Sequence, residues 1–343
     1  MLQIFKEFRE KLDSIILNAF GHRIVLWGYG YTGRFIEWYA DYYHSLTVDF
    51  IIEDNWPLSM PYEFSLFRSS LFDFQYKDVK DAIIWLTIPE SNDISDKLRE
   101  KGYIKDKDYF SFLEFIYGNN YINDDKKIDN IFRQRKQGIR DVQFMEWLEF
   151  HYNCNFVTAI ASSYFENKDC GAHKYSVTTQ KEIFPILDKC HCLPRDTDAI
   201  FDFGCGKGGA MISFLDYGFK KVGGVEFEKN IYEVMIDNFK NLKIDMEKTA
   251  SCIYGDAIDI KEELDEYNWF YYFDPFDKNI FEVTINNICN SLKRKPRKIN
   301  IININPSYYD VVISSGYFYL TNQFCISMRQ KVVDIFTTKK EFE

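Results

Sequence analysis

Apolar runs of about four to eight residues recur along the chain, most of them closing on a glycine or an acid. Stretches with apolar positions three and four apart lie between several of them. This alternation predicts buried strands separated by helices. Early in the chain the expected strands cover residues 23–27, 48–52 and 81–88, with helical character from Arg34 onward. Pro89 opens a loop and a helix ending near Lys101 and Gly102. In the second half, strands are expected at 198–203, 221–225, 269–273 and 298–304, with a helix at 210–217. Two last strand candidates, 317–325 and 331–337, follow. Between these regions, 119–125 is a polar break, and 128–151 shows helical spacing through Ile131, Val142, Met145 and Leu148. The pattern divides the chain into α/β units at 1–118 and 175–343, joined by a helical connector at 119–174.

Composition narrows the classes. The 343 residues are 46% hydrophobic and 27% charged, as globular chains are. Net charge is −10, and no region has a positive excess: 1–118 carries 13 basic against 19 acidic groups. A nucleic-acid partner is therefore not expected. The 18% aromatic content reads as the bias of an AT-rich genome, not as a binding surface. Residues 1–20 lack the apolar core of a secretory signal, and no run has membrane-spanning length. A cytoplasmic protein with free thiols is expected. Cys170, His173, Cys190, His191 and Cys192 fit no standard zinc spacing, so no metal is assigned.

Two glycine-rich turns carry the candidate chemistry. The first reads Gly28-Tyr-Gly30-Tyr-Thr-Gly33, with Glu53 and Asp54 at the end of the next strand. Strand, glycine turn, helix, strand and acid are the parts of a nucleotide-binding βαβ unit. They also suit a scaffold whose glycines only let helix and strand pack closely. The second turn is Asp202-Phe-Gly204-Cys-Gly206-Lys-Gly208, followed by Glu226, by Gly255-Asp256-Ala257 and by Asp274-Pro275-Phe276.

These four landmarks resemble, in order, those of class I S-adenosylmethionine (SAM)-dependent methyltransferases, over roughly half the chain. Tyr175 to Thr178 resembles that family's lead-in. The resemblance implies a doubly wound sheet ending in an antiparallel strand pair, with SAM as cofactor. It places Glu226 on the ribose hydroxyls and Gly204, Gly206 and Gly208 against the methionine part. It places Asp202 at the turn or near the ammonium, and Asp256 and Ala257 near adenine. Tyr175 and Thr178 join the cofactor set. Asp274, Pro275 and Phe276 stand as catalytic candidates, with Tyr272 and His173 weaker candidates for the site wall. Ordinary turn capping would also account for Asp202, Asp256 and Asp274. The second proline of the Asp/Asn-Pro-Pro-aromatic pattern of amino-methylating relatives is absent.

The first unit resembles the small Rossmann-like domains of bacterial polysaccharide-modifying enzymes, with Gly28, Gly30, Gly33, Glu53 and Asp54 as a second nucleotide site. The expected activity is methyl transfer to a small-molecule, sugar-nucleotide or glycan acceptor. The alternatives are a nucleic-acid or protein N-methyltransferase, and a binding protein that transfers nothing. The basic run 293–298 precedes a strand, so it is expected on the face away from the cofactor, as solvated charge.

Overall fold

The computed structural model describes residues 3–54, 66–67, 69, 81–118, 142–160, 175–306, 308–326 and 331–343. The chain forms two compact units, Gln3–His151 and Tyr152–Glu343. The division falls within the stretch expected to be a connector. Of that stretch, residues 119–141 and 161–174 lie outside the described residues.

The first unit runs α1 (Gln3–Leu17), β1 (Ile24–Trp27), α2 (Tyr31–His44), β2 (Phe50–Ile52), β3 (Leu66–Phe67), β4 (Ile83–Leu86), α3 (Asn92–Glu100), β5 (Tyr109–Ser111), α4 (Phe112–Tyr117) and α5 (Gln143–Tyr152). Its sheet is parallel, in the order β3-β2-β1-β4-β5. Strands β1 and β4 are buried at every position, which is why their sequences are continuous apolar runs.

The second unit begins with α6 (Gln180–Lys189), whose first turn is closed by the Glu182 carboxylate accepting the Thr179 amide at 3.2 Å. Then come β6 (Ala199–Phe203), α7 (Gly209–Tyr217), β7 (Lys221–Glu226), α8 (Lys229–Asn241), β8 (Ala250–Tyr254) and β9 (Trp269–Phe273). The last elements are α9 (Lys278–Arg294), β10 (Asn300–Ile304), α10 (Tyr309–Ser314), β11 (Phe318–Ile326) and β12 (Lys331–Thr338). The sheet order is β11-β12-β10-β9-β6-β7-β8. Strands β8, β7, β6, β9 and β10 are parallel, and β12 and β11 close the sheet antiparallel. This is the doubly wound sheet with an antiparallel terminal pair expected from the sequence.

Phe201, Phe203, Phe270, Tyr272, Ile301 and Phe336 cover one face of this sheet and pack with Phe281, Ile285 and Ile288 of α9. Each fully buried ring of that kind contributes roughly 1.5–3 kcal/mol. On the other face, Phe214 of α7 meets Tyr271 edge-on at 5.1 Å. Asp202 is buried within the otherwise apolar β6. No helix among the described residues is long and apolar enough to cross a membrane.

Candidate functional site

Five parallel strands of the second unit end at one edge, and this brings distant residues together. Gly204 follows β6, Glu226 ends β7, Gly255 and Asp256 follow β8, Asp274 follows β9, and Asn305 follows β10. Ligands of open α/β sheets bind at such carboxyl ends.

The glycine turn is held by β7, since the amides of Gly204 and Cys205 both donate to the Val225 carbonyl, at 3.1 and 3.0 Å. Gly204, Gly206 and Gly208 all have positive φ. A Cβ on Gly204 would lie 2.8 Å from Pro275 Cβ, and one on Gly206 would lie 2.4 Å from the Tyr175 ring. One on Gly208 would meet Phe239 at 2.6 Å. Both conformation and space therefore demand glycine here.

Glu226 reaches across to this turn. Its Oε2 accepts the Gly206 amide at 2.9 Å, and its Oε1 accepts the Glu228 amide at 2.8 Å. Burial pushes the Glu226 carboxyl up to about 7, against the opposing pull of the Glu228, Gly206 and Phe227 amides. Asp202 is only 4% exposed. Burial, with the charge of Glu226 nearby, pushes it up to about 8. The two carboxyls thus share one poorly solvated pocket beside the glycine turn.

Gly255 joins the site through its amide, which donates to the Glu226 carbonyl at 3.2 Å. Asp256 accepts the Ile258 amide at 3.1 Å, capping the short 3₁₀ turn Ala257–Asp259. The capping reading of Asp256 therefore has a bond behind it. Thr178 is buried immediately ahead of α6. Tyr175 lies on the glycine turn, its hydroxyl donating to the Phe156 carbonyl at 2.6 Å.

At the far side of the edge, Asp274 Oδ2 accepts from the Asn305 side-chain amide at 2.8 Å. Both residues adopt positive φ, 48° and 59°, in the left-handed region that Asp and Asn tolerate. They extend registered neighbours, Phe273 and Ile304. Pro275 covers Gly204, so Asp274 is tied to both the cofactor-side turn and β10. Phe276 is buried and meets Tyr272 edge-on at 6.2 Å, so its ring packs into the core. Tyr272 is fully buried and bonds Thr284, which removes it from the site wall. Its place in the middle of the apolar run 269–273 is the signal for that.

Sequence reasoning missed two residues. Asn305 follows an ordinary apolar strand and belongs to no motif. Lys207 was visible as the cation of the glycine turn, but its role was not. It is 1% exposed, and its ammonium donates to Asn155 Oδ1 and to the Thr158 carbonyl, both at 2.9 Å.

The basic run 293–298 is at the opposite end of β10. Arg294 pairs with Asp265 at 2.9 and 2.8 Å, and Arg297 donates to the Leu264 and Tyr267 carbonyls. Among the described residues, no group of His, Cys, Asp and Glu could hold a metal. Cys170 and His173 lie outside the described residues.

The first unit repeats part of this design. The Tyr29 amide donates to Glu53 Oε2 at 2.7 Å, and the Thr87 hydroxyl donates to the Gly28 carbonyl at 2.6 Å. A Cβ on Gly33 would lie 2.2 Å from the Gly28 carbonyl oxygen, while the space around Gly30 is open. Asp54 accepts the Ser69 amide at 2.8 Å.

No protein-family profile matches the chain, and no curated protein matches it in sequence. Some solved structures are similar to it in fold. One is a TehB-like SAM-dependent methyltransferase from Corynebacterium glutamicum, 15% identical over 48% of this chain and 90% of that one, with a TM-score of 0.35. Another is a precorrin-6y C5,15-methyltransferase from Geobacter metallireducens, 14% identical over 48% of this chain and 90% of that one, with a TM-score of 0.34. A third is a protein of the NADB-Rossmann superfamily from Streptococcus agalactiae, 11% identical over 48% of this chain and 69% of that one, with a TM-score of 0.37. Likeness of this degree assigns no activity, because one fold hosts many functions. The functional argument rests on the site.

Proposed function

We propose that the second unit binds SAM and transfers its methyl group to a small-molecule, sugar-nucleotide or glycan acceptor. The observation that carries this reading is the meeting of Asp202, Glu226 and the Gly204–Gly208 turn at the carboxyl edge of the sheet. The residues fit the cofactor. Glu226 Oε2 accepts the Gly206 amide and Oε1 the Glu228 amide, and lone pairs left on the two oxygens suit the two ribose hydroxyls. Asp202 is a buried carboxyl beside the glycine turn, a fit for an ammonium group. The positive φ of Gly204, Gly206 and Gly208 gives the tight turn whose backbone would meet the methionine part.

The bound cofactor supplies an activated methyl group and a good leaving group. The protein's share is then chiefly to orient the acceptor, which can supply up to about 7–11 kcal/mol of the barrier. Asp274, held by Asn305, is positioned to accept a hydrogen from a hydroxyl or amine acceptor. The net charge of −10 supports a small or glycan acceptor over nucleic acid.

Calorimetry with SAM on the wild type and on Glu226→Ala tests the cofactor site. The wild type should bind and the variant should not, with both folded by circular dichroism. Equal binding by the two overturns the site. Transfer of labelled methyl to sugars, sugar nucleotides, DNA and protein then sorts the acceptor classes.

For the first unit we propose binding of the acceptor or of a regulatory nucleotide at Gly28, Gly30, Gly33 and Glu53. Gly30→Val has room to fold, so it should abolish binding of a nucleotide such as UDP or NAD without unfolding the unit. Undiminished binding would remove this site.

A further inference from the structure

The segment from Asn153 to Ile160 is held against the glycine turn by a set of bonds that centres on Lys207. The Lys207 ammonium bonds the Asn155 side chain and the Thr158 carbonyl, and it lies 5.1 Å from the centre of the Tyr175 ring. Asn238 of α8 bonds the same segment and the same lysine. Its Oδ1 accepts the Asn155 amide at 2.7 Å, and its Nδ2 donates to the carbonyls of Asn155 and Lys207, both at 3.1 Å. Asn241 adds a bond to the Asn153 carbonyl at 2.8 Å. Ile160 and Tyr175 exchange backbone bonds at 3.3 and 2.9 Å, which fixes the far end of the segment beside the Tyr175 ring.

That ring occupies the space where a side chain on Gly206 would stand, and the Gly206 amide is bonded to Glu226. A continuous path therefore runs from Asn155 through Lys207 and Tyr175 to Gly206 and Glu226. A solvated surface lysine would serve none of this. Lys207 is almost fully buried, and burying an ammonium is costly unless its donors are used. Here two of its bonds, to Asn155 and Thr158, go to the segment. Asn155 is exposed, so its side chain is not needed to fill the core.

We propose that Lys207 is a positioning residue for the cofactor: it latches the Asn153–Thr158 segment as a strap and presses Tyr175 onto Gly206, so that the glycine turn and Glu226 are set for SAM. This rests on the reading that SAM binds at Glu226. The lysine acts through the strap and Tyr175, not by taking part in methyl transfer. Strap closure and ligand binding are then linked, and each favours the other.

The test uses the full chain with SAM and S-adenosylhomocysteine as probes, by calorimetry. Lys207→Met and Asn155→Ala should each weaken both ligands by about tenfold or more, the effect of losing a hydrogen bond to a charged group. The double variant should be little worse than either single one, because both remove the same latch. Asn155→Asp keeps an acceptor for the ammonium and should keep near wild-type affinity. Limited proteolysis should show the strap protected by SAM in the wild type and not in Asn155→Ala. Should Lys207→Met fail to fold, Asn155→Ala still decides the matter, since it changes an exposed side chain. Affinity within twofold of wild type in folded Lys207→Met and Asn155→Ala overturns the latch and leaves the cofactor site standing. A wild type that binds neither probe overturns the cofactor reading itself.

Discussion

The Gly206 amide lies 2.9 Å from Glu226 Oε2, so the glycine turn and the end of β7 form one hydrogen-bonded unit. Asp202 stands beside them, close enough that the charge of Glu226 raises its proton affinity. A change in charge on either acid is therefore felt by the turn, by its neighbour and by whatever ligand the turn receives.

The first prediction concerns pH. Glu226 is raised to about 7 and Asp202 to about 8, both mainly by burial, so each binds its proton more tightly folded than unfolded. The stability this contributes is full below the unfolded values near 4 and is lost as pH rises through about 7 to 8. Cationic and hydroxyl groups of SAM favour the ionised acids. SAM affinity should rise from pH 6 to 9, and binding near pH 7 should release protons. Calorimetry in phosphate and in Tris reads this as a buffer-dependent heat. The same heat in both buffers would remove the protonated pair from the account.

A second prediction follows from the space around Gly206. Its φ is +57°, and a methyl group there would lie 2.4 Å from Tyr175. Gly206→Ala should cost about 1–3 kcal/mol from overpacking alone. It should also weaken SAM binding more than a control such as Gly316→Ala. Gly316 likewise has positive φ, but open space around it. A denaturant melt and a SAM titration on both variants separate crowding from backbone conformation. Equal SAM affinity in the two variants would count against a close approach at Gly206.

The sheet, the two glycine turns and Glu226 were legible in the sequence because each depends on local pattern. Buried parallel strands are continuous apolar runs, and positive φ in a tight turn selects glycine. The edge strands were harder. Leu66–Phe67 is only two residues long, too short for a periodicity to show. The Lys207–Asn155 bond spans 52 residues and joins a glycine turn to a segment with no motif. Asn305 meets Asp274 only because β9 and β10 are registered neighbours. Side-chain partners set by sheet order leave no trace in spacing. Phe276 and Tyr272 show the converse: an aromatic beside a motif looks like a site wall until packing turns it inward.

A third prediction separates structural from functional charge. Arg297 donates to the Tyr267, Leu264 and Lys295 carbonyls and to the Ser291 hydroxyl, at 2.7–2.9 Å. Arg297→Ala strands these acceptors, at a cost of about 1–3 kcal/mol for a buried group left unsatisfied. The melting temperature should fall, while SAM affinity should stay the same. A salt titration with duplex DNA should show no phosphate-driven binding in either protein. Steep salt-dependent binding that Arg297→Ala weakens would instead make this face a nucleic-acid surface.

The last prediction addresses the acceptor side. Asn305 fixes Asp274 by a bond at 2.8 Å, and Pro275 holds the same loop against Gly204, next to the proposed cofactor. If Asp274 takes the acceptor's proton, Asp274→Ala should slow labelled methyl transfer by about a hundredfold or more. SAM affinity should be unchanged, because Asp274 lies on the opposite side of Gly204 from Glu226 in the sheet order. Asn305→Ala keeps the carboxylate but frees its orientation, so a smaller loss of about tenfold is expected. The ordering of the two losses is the diagnostic. A structural turn would lose stability in both variants and SAM affinity with it. An acceptor-orienting pair loses transfer alone, and more from the carboxylate than from the amide that aims it.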